Sequence, residues 1–153
     1  MSAVHDHTRE YVTLSIGSQT FGVSVTDIQD VFAVHAITPV PLSRPEIAGV
    51  LNLRGRIVTA IDARSRLGLP PREDHVRAAM AVGVESNGEA FGLIIDSVGE
   101  VLKLAANTFE PNPINLDPRW ATVSRGVHRL QERLLVILDI DRMLDLGQTA
   151  QAA

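Results

Sequence analysis

The feature that most constrains this chain is that it repeats itself. Phe21–Val31, FGVSVTDIQDV, aligns without a gap on Phe91–Val101, FGLIIDSVGEV, at an offset of 70 residues. Gly49–Leu69, GVLNLRGRIVTAIDARSRLGL, aligns on Gly126–Leu146, GVHRLQERLLVILDIDRMLDL, at an offset of 77. In the second pair Gly-Val meets Gly-Val, Leu53 meets Leu130, Arg56 meets Arg133 and Asp62 meets Asp139. The change of offset implies seven additional residues in the intervening loop, which NTFEPNPINLDPRW supplies. The chain of 153 residues is thus one module of about 70 residues written twice.

Each module reads as strand. From Tyr11 the run YVTLSIGSQTFGVSV alternates apolar residues around a Gly-Ser-Gln turn, a β-hairpin pattern, and IQDVFAV follows as another short β-prone segment. Pro39, Pro41 and Pro45 interrupt regular structure before RIVTAID, a strand, and ARSRLG, one helical turn stopped by Gly68. The second half restarts with AAMAVGVESNGEAFGLII, whose hairpin turn is Asn87–Gly88, and ends in DIDRMLDL, about two helical turns before Gly147. No segment offers the long amphipathic helices of βαβ crossovers. Modules this small leave costly sheet edges unless the sheets curl closed, so the expected fold is all-β: two five-stranded, SH3-like β-barrels with short helical caps. The expected organisation is a tail over residues 1–8, one domain over 9–146 and a tail over 147–153. Within that domain the barrels span about 9–75 and 76–146, with strand exchange between them left open by the periodicity.

Composition removes several function classes. Without cysteine there are no disulfides, thiolate nucleophiles or Cys-ligated metals. The net charge of -4, from 14 basic and 18 acidic side chains, provides no field to hold nucleic acid. MSAVHDHTREY lacks the apolar core of a signal peptide, and no apolar run approaches the roughly 18 residues of a membrane span, so the expected location is cytoplasmic. Apolar residues make up 45% of the chain but aromatics only 4%, so the core is built from aliphatic side chains.

The candidate chemical sites resolve into structural roles. NLRGR has one central glycine before a β-prone run, where a phosphate loop needs several glycines opening a helix. His5 and His7 flank Asp6 in the tail; His35, His75 and His128 share no ligand spacing and fall at strand rims or in loops. Asp62 and Asp139 each close a strand ahead of a helical turn, the position of an N-cap. No Ser/His/Asp or paired-acid constellation has supporting context, so the expectation is a protein without catalytic residues, metal or cofactor.

Comparing the two copies separates scaffold from surface. Positions kept in both, such as Gly49/Gly126 and Asp62/Asp139, read as structural. The first copy instead has Arg54–Gly55 where the second has Gln131–Glu132, and Arg64 and Arg66 where the second has Asp141 and Met143. Residues 1–77 hold eight basic and eight acidic groups while 78–153 hold six and ten, so the second half supplies the whole net charge. Two like-folded modules with different surface chemistry suggest a two-sided adaptor. If the IQDV strand, ended by Asp30, lies beside Leu51–Leu53, then Asp30 pairs with Arg54 and orients its guanidinium for a partner. Val31, Val34, Ile37, Val40 and Leu42 are the candidates for an apolar centre beside it.

FGVSVTDIQDV, ITPVPLSRPEIAGVLNLRGRIVTAIDARSRLG, FGLIIDSVGEV and LLVILDIDRML, in that order, closely resemble the CheW-like family of bacterial chemotaxis coupling proteins. The resemblance runs from Tyr11 to Leu146 and implies two five-stranded barrels side by side and a non-catalytic adaptor. It implies two partners: the cytoplasmic tip of methyl-accepting chemoreceptors and the regulatory domain of a CheA-type histidine kinase. The chain would then be a monomer when isolated, recruited to membrane-associated receptor arrays without inserting in the membrane. By the same resemblance the binding residues are Asp30, Val31, Val34, Val50, Asn52, Arg54, Gly55, Arg56 and Arg64. Where the family pattern is Val-Pro-Val-Ile-Asp-Leu-Arg this chain has VTAIDAR over Val58–Arg64, departing from it at Ala60 and Ala63 among others. A coupler of a kinase array governing surface motility or development fits the same residues.

Overall fold

The computed structural model describes residues 7–71, 80–131 and 133–146. His5, Asp6 and His75, the boundary near residue 75 and the C-terminal tail lie outside the described residues. The first half contains β1 (Thr8–Ile16), β2 (Gln19–Ser24), β3 (Asp30–Ala33), β4 (Ile47–Leu53), β5 (Arg56–Asp62) and α1 (Ala63–Leu67). The second contains β6 (Met80–Ser86), β7 (Glu89–Ile95), β8 (Ser97–Ala105), β9 (Phe109–Glu110), α2 (Pro118–Ala121), β10 (Ser124–Arg129), β11 (Leu134–Leu138) and α3 (Ile140–Leu144). Strand β1 starts three residues before the alternation that announced it, because β8 continues to pair with it as far as Thr8↔Ala105.

The strands form two sheets, ordered β8-β1-β2-β11-β10-β9 and β3-β6-β7-β5-β4. Each sheet draws strands from both halves of the sequence. The hairpin β1–β2 lies among second-half strands, and β6–β7 lies among first-half ones. The exchange obeys the repeat: parallel pairing Val136↔Phe21 joins β11 to β2, and its equivalent Thr59↔Phe91 joins β5 to β7. Both sheets are therefore mixed, with the antiparallel hairpins encoded locally and the parallel contacts made across the chain.

Both sheets curl, but not to closure. Strands β8 and β9 stand at opposite ends of one sheet although only three residues separate them. In the other sheet Thr38, just beyond β3, bridges Val50 of β4 at the far end. Among the described residues no strand ladder joins the end strands, so the expected closed barrels are open curled sheets. One of them has six strands, through the two-residue β9, rather than five.

The curl produces three apolar layers. The largest lies between the sheets and joins Leu14, Ile16, Phe21 and Val23 to Ile61, Leu67, Val82, Leu93 and Ile95, with Val136, Leu138 and Met143. A smaller core inside one curl contains Val34, Leu51, Val58, Ala60, Ala81 and Ile94; the other contains Tyr11, Leu135 and Ile137. Each buried Leu, Ile or Phe contributes about 1.5–3 kcal/mol, so the shared layer holds the two sheets against each other.

Gly49 and Gly126 sit at equivalent bulges in β4 and β10, with φ of 147° and 151°. A Cβ at Gly49 would strike the Thr38 carbonyl, and one at Gly126 the Phe109 ring and the Glu110 carbonyl. These bulges bend each sheet onto the segment that closes its curl. Asp62 caps α1 by accepting from the Arg64 N–H at 3.1 Å, and Asp139 caps α3 by accepting from the Arg142 N–H at 3.2 Å. Gly68, with φ 72°, ends α1 after a single turn.

Candidate protein-interaction surface

The segment Asn52–Leu53–Arg54–Gly55 forms the tip of the β4–β5 hairpin. Arg54 and Gly55 both have positive φ, 53° and 86°, the conformation of a type I′ turn. Nothing lies within 4 Å of a Cβ built on Gly55, so the backbone angle rather than space calls for glycine there. Arg54 adopts the same region at a cost on the order of 1 kcal/mol. Asn52 Oδ1 accepts from the Gly55 N–H at 2.8 Å and holds the turn.

Arg54 reaches Asp30 with two nitrogens, Nε at 3.0 Å and Nη2 at 3.2 Å. The route differs from the one expected. Asp30 begins β3 rather than ending a strand, and β3 pairs with β6 through Asp30↔Gly83 rather than lying beside β4. The sheet's curl brings the two together. The Arg54 side chain is 79% exposed, so the pair adds about 0–1 kcal/mol to stability and chiefly fixes the direction of the guanidinium. Asp30, Arg54 and Arg56 line a hollow of 170 Å³ with Gln29, Leu53 and Gly83. Val31 beside it is 41% exposed, as is Val40, and Leu42 is fully exposed.

Other expected members do not join this group. Val34 is 7% exposed and belongs to the inner core of its sheet. Val50 is half-buried and spends its backbone on the bridge to Thr38. Arg64 points inward: its Nη2 lies 2.6 Å from Asp96 Oδ2 and its Nε 3.1 Å from Oδ1, while Asp96 also accepts from the Gly17 N–H. Arg66 donates to the carbonyls of Met143, Arg142 and Asp145 at the end of α3. Of the four arginines of the first copy, two therefore face solvent and two staple the halves together. Solvation alone could not separate them in sequence, because all four stand in similar polar contexts.

Sequence reasoning missed Val101, the repeat mate of Val31, which is 55% exposed on the edge strand β8. The repeat alignment itself was the signal. His128 was expected at a rim and is instead a core residue, 1% exposed, contacting Tyr11 Oη at 3.2 Å and Thr108 Oγ1 at 3.1 Å. Burial lowers its pKa, nearby Arg9 adds to the effect, and Glu110 opposes it. Asp27 is shifted the other way: burial raises its pKa against the attraction of Arg125, with Asp141 and Asp139 adding to the rise. Among the described residues no group of three His, Asp or Glu side chains could hold a metal ion, and no helix is long and apolar enough to cross a membrane.

The arrangement offers one oriented guanidinium, that of Arg54, a small polar hollow and flanking exposed valines, all suited to recognition of another protein. A family model for the CheW-like domain matches residues 10–148. The chain is 29% identical over 147 residues to the chemotaxis protein CheW of Thermotoga maritima, covering 95% of each chain. It is 26% identical over 133 residues to the chemotaxis protein CheW of Rhizobium meliloti, covering 87% of this chain and 85% of that one. The crystal structure of the scaffolding protein TtCheW from Thermoanaerobacter tengcongensis superposes with a TM-score of 0.81 at 26% identity, covering 92% of this chain and 95% of that one.

Proposed function

The chain belongs to the CheW-like domain family, and we propose that it works through the β4–β5 hairpin tip, where Arg54 held by Asp30 is read by its partners. It is a non-catalytic adaptor of the CheW type that couples chemoreceptors to CheA-like kinases and scaffolds their arrays. Its contribution is geometry: it holds receptor and kinase in an arrangement whose states differ in kinase activity. The partners at this tip are the cytoplasmic end of a methyl-accepting receptor and the regulatory domain of the kinase, which recruit the chain to membrane-associated arrays.

The observation that carries the site is the Arg54–Asp30 pair on a rigid type I′ turn. An exposed arginine in a left-handed conformation, held by a carboxylate from another strand, does little for the fold. It does present a preorganised donor fork to a carboxylate or carbonyl on a partner. Around it, Val31, Asn52, Gly55 and Arg56 complete the surface, and Arg64 and Val34 act from within by fixing the scaffold.

Calorimetric titration against the regulatory domain of the cognate CheA-type kinase, and separately against a receptor tip fragment, tests the reading. The wild-type chain should bind saturably, one to one, with Kd in the micromolar range or tighter, about -8 kcal/mol. Arg54→Ala should weaken at least one of these by tenfold or more while urea unfolding stays within about 0.5 kcal/mol of wild type. Unchanged binding to both partners would remove Arg54 from the interface.

A further inference from the structure

The hollow of 170 Å³ beside the β4–β5 tip stays open at a position that the other half of the molecule fills. Gly83 of β6 lies in its lining, and the equivalent residue of β1, 70 positions earlier, is Thr13. Thr13 is buried, 5% exposed, and its hydroxyl donates to the Glu100 carbonyl at 2.8 Å. The space beside it is used up, since a Cβ built on Gly99 would strike that hydroxyl. At Gly83 a Cβ would instead reach into the hollow, 3.3 Å from the Asp30 Cβ and 3.5 Å from Leu53 Cδ2. Glu100 and Asp30 are repeat mates, as are Arg133 and Arg56, and both of these arginines are exposed. One half thus has the arginine beside a filled position, and the other has the arginine beside a hollow.

Resting on the reading of this tip as a protein-binding surface, we infer that the hollow is a specificity pocket for one acidic side chain of the partner, Glu or Asp, whose carboxylate is read by Arg56. Charge complementarity favours an acid. Asp30 is already engaged: it accepts from Arg54 Nε at 3.0 Å and Nη2 at 3.2 Å, and from the Val31 N–H at 2.9 Å. Gln29 is turned to Glu85, to which its Nε2 donates at 2.8 Å. Among the described residues no hydrogen bond or ion pair engages the Arg56 guanidinium, so the lining keeps one unmatched positive charge. A guanidinium fork takes a carboxylate through two parallel hydrogen bonds, stronger than those to a neutral amide. Leu53 and Ala90, both half-buried, supply apolar wall for the methylenes of the incoming side chain. An apolar occupant would desolvate Arg56 without pairing it, and a basic one would meet a like charge. The pocket also continues the exposed surface of Arg54 and Val31, so an acid seated in it belongs to the same contact.

The probes are the regulatory domain of the cognate CheA-type kinase and the receptor tip fragment, each titrated by calorimetry into the full chain and its variants. Gly83→Thr copies the other half and fills the hollow, at a glycine that has no positive φ to forbid a side chain. Arg56→Gln removes the unmatched charge. Each should weaken binding of the same partner at least tenfold while the urea midpoint stays close to wild type. Arg56→Glu should lose that partner too, and exchanging one acidic residue of the partner for lysine should restore it and identify the acid. Should Gly83→Thr fail to fold, this charge swap decides alone. Loss with Gly83→Thr only means an apolar occupant, and loss with Arg56→Gln only means an acid held outside the hollow; either result overturns the proposal. So does an effect of Gly83→Thr that disappears in an Arg54→Ala background, which traces it to a disturbed Arg54. The two readings fail separately. Wild-type affinity in Gly83→Thr and Arg56→Gln removes the pocket even where Arg54→Ala weakens binding, and the reverse pattern removes Arg54 and keeps the pocket. A wild-type chain that binds neither probe overturns both.

Discussion

The two halves of this molecule run through five equivalent strands in the same order, yet one has closed its seat beside the helical cap and the other has not. Beside α1, Trp120 covers Phe21 and ties itself to the Leu67 carbonyl. Beside α3, Phe91 lies at the floor of an open cleft. The difference comes from a few additional residues in one loop, enough to add the single turn of α2. It teaches that in a duplicated fold the conserved strands set where a pocket will lie, while a loop insertion decides whether that pocket becomes core or surface. The caps differ likewise: Arg64 of α1 is held by Asp96, whereas its counterpart Asp141 accepts from Ser86 Oγ at 2.7 Å.

The most severe way to break this contrast is Trp120→Ala, which should open a second cleft and cost about 3 kcal/mol in urea unfolding, the lower end for such truncations because the ring is only half-buried. A loss below about 1 kcal/mol would mean that α2 is an ornament on a core already complete without it. Next in size is Arg64→Ala. Arg64 and Asp96 are 16% and 19% exposed at their side chains, so the Asp96 carboxylate would lose its ion pair with Arg64 in a largely dry place. The expected cost is about 2 kcal/mol, below the roughly 3–5 kcal/mol of a fully buried pair. Truncating Arg54, whose ion pair is exposed, should by contrast leave stability nearly unchanged. If the two arginines cost the same, the division between inward staples and outward recognition groups fails.

That division marks the limit of what could be read from the residues alone. The hairpins were legible because alternation and Asn87–Gly88 encode antiparallel neighbours locally. The caps were legible because Asp62 and Asp139 stand where free N–H groups need an acceptor. Sheet membership was not, since the parallel contacts Phe21↔Val136 and Phe91↔Thr59 join segments far apart in sequence and leave no periodic trace. Closure of the barrels was inferred from the cost of open edges, and the molecule meets that cost partly by curling its sheets against bulges at Gly49 and Gly126. At the hairpin tip the pairing of Asp30 with Arg54 was anticipated, though by the wrong strand adjacency. Val34 and Arg64 were placed at the surface because a valine or an arginine looks the same in sequence whether it faces out or in; only the fold orients it.

The smallest expected effect at neutral pH separates the inner cores of the two sheets. At the positions where one sheet buries Tyr11 and His128, the repeat puts Ala81 and Leu51 in the other, both buried. Among the described residues, only the first of these inner cores therefore holds a histidine. With its folded pKa lowered below the unfolded value near 6.5, the unfolded chain binds the proton more readily than the folded one. The stability associated with neutral His128 is thus fully present above pH about 6.5 and declines as the pH falls through that value towards the folded pKa. Arg9 near the ring strengthens the effect and Glu110 weakens it. The paired substitution His128→Leu with Tyr11→Phe makes this core resemble its counterpart and leaves no tyrosine hydroxyl without its partner. Urea unfolding followed from pH 7.5 to pH 5 should show the wild type losing stability across this window, and the double variant should lose measurably less. Parallel curves would mean that the proton is accommodated without opening the Tyr11–His128 contact, and that the two inner cores, despite their different chemistry, respond to acid alike.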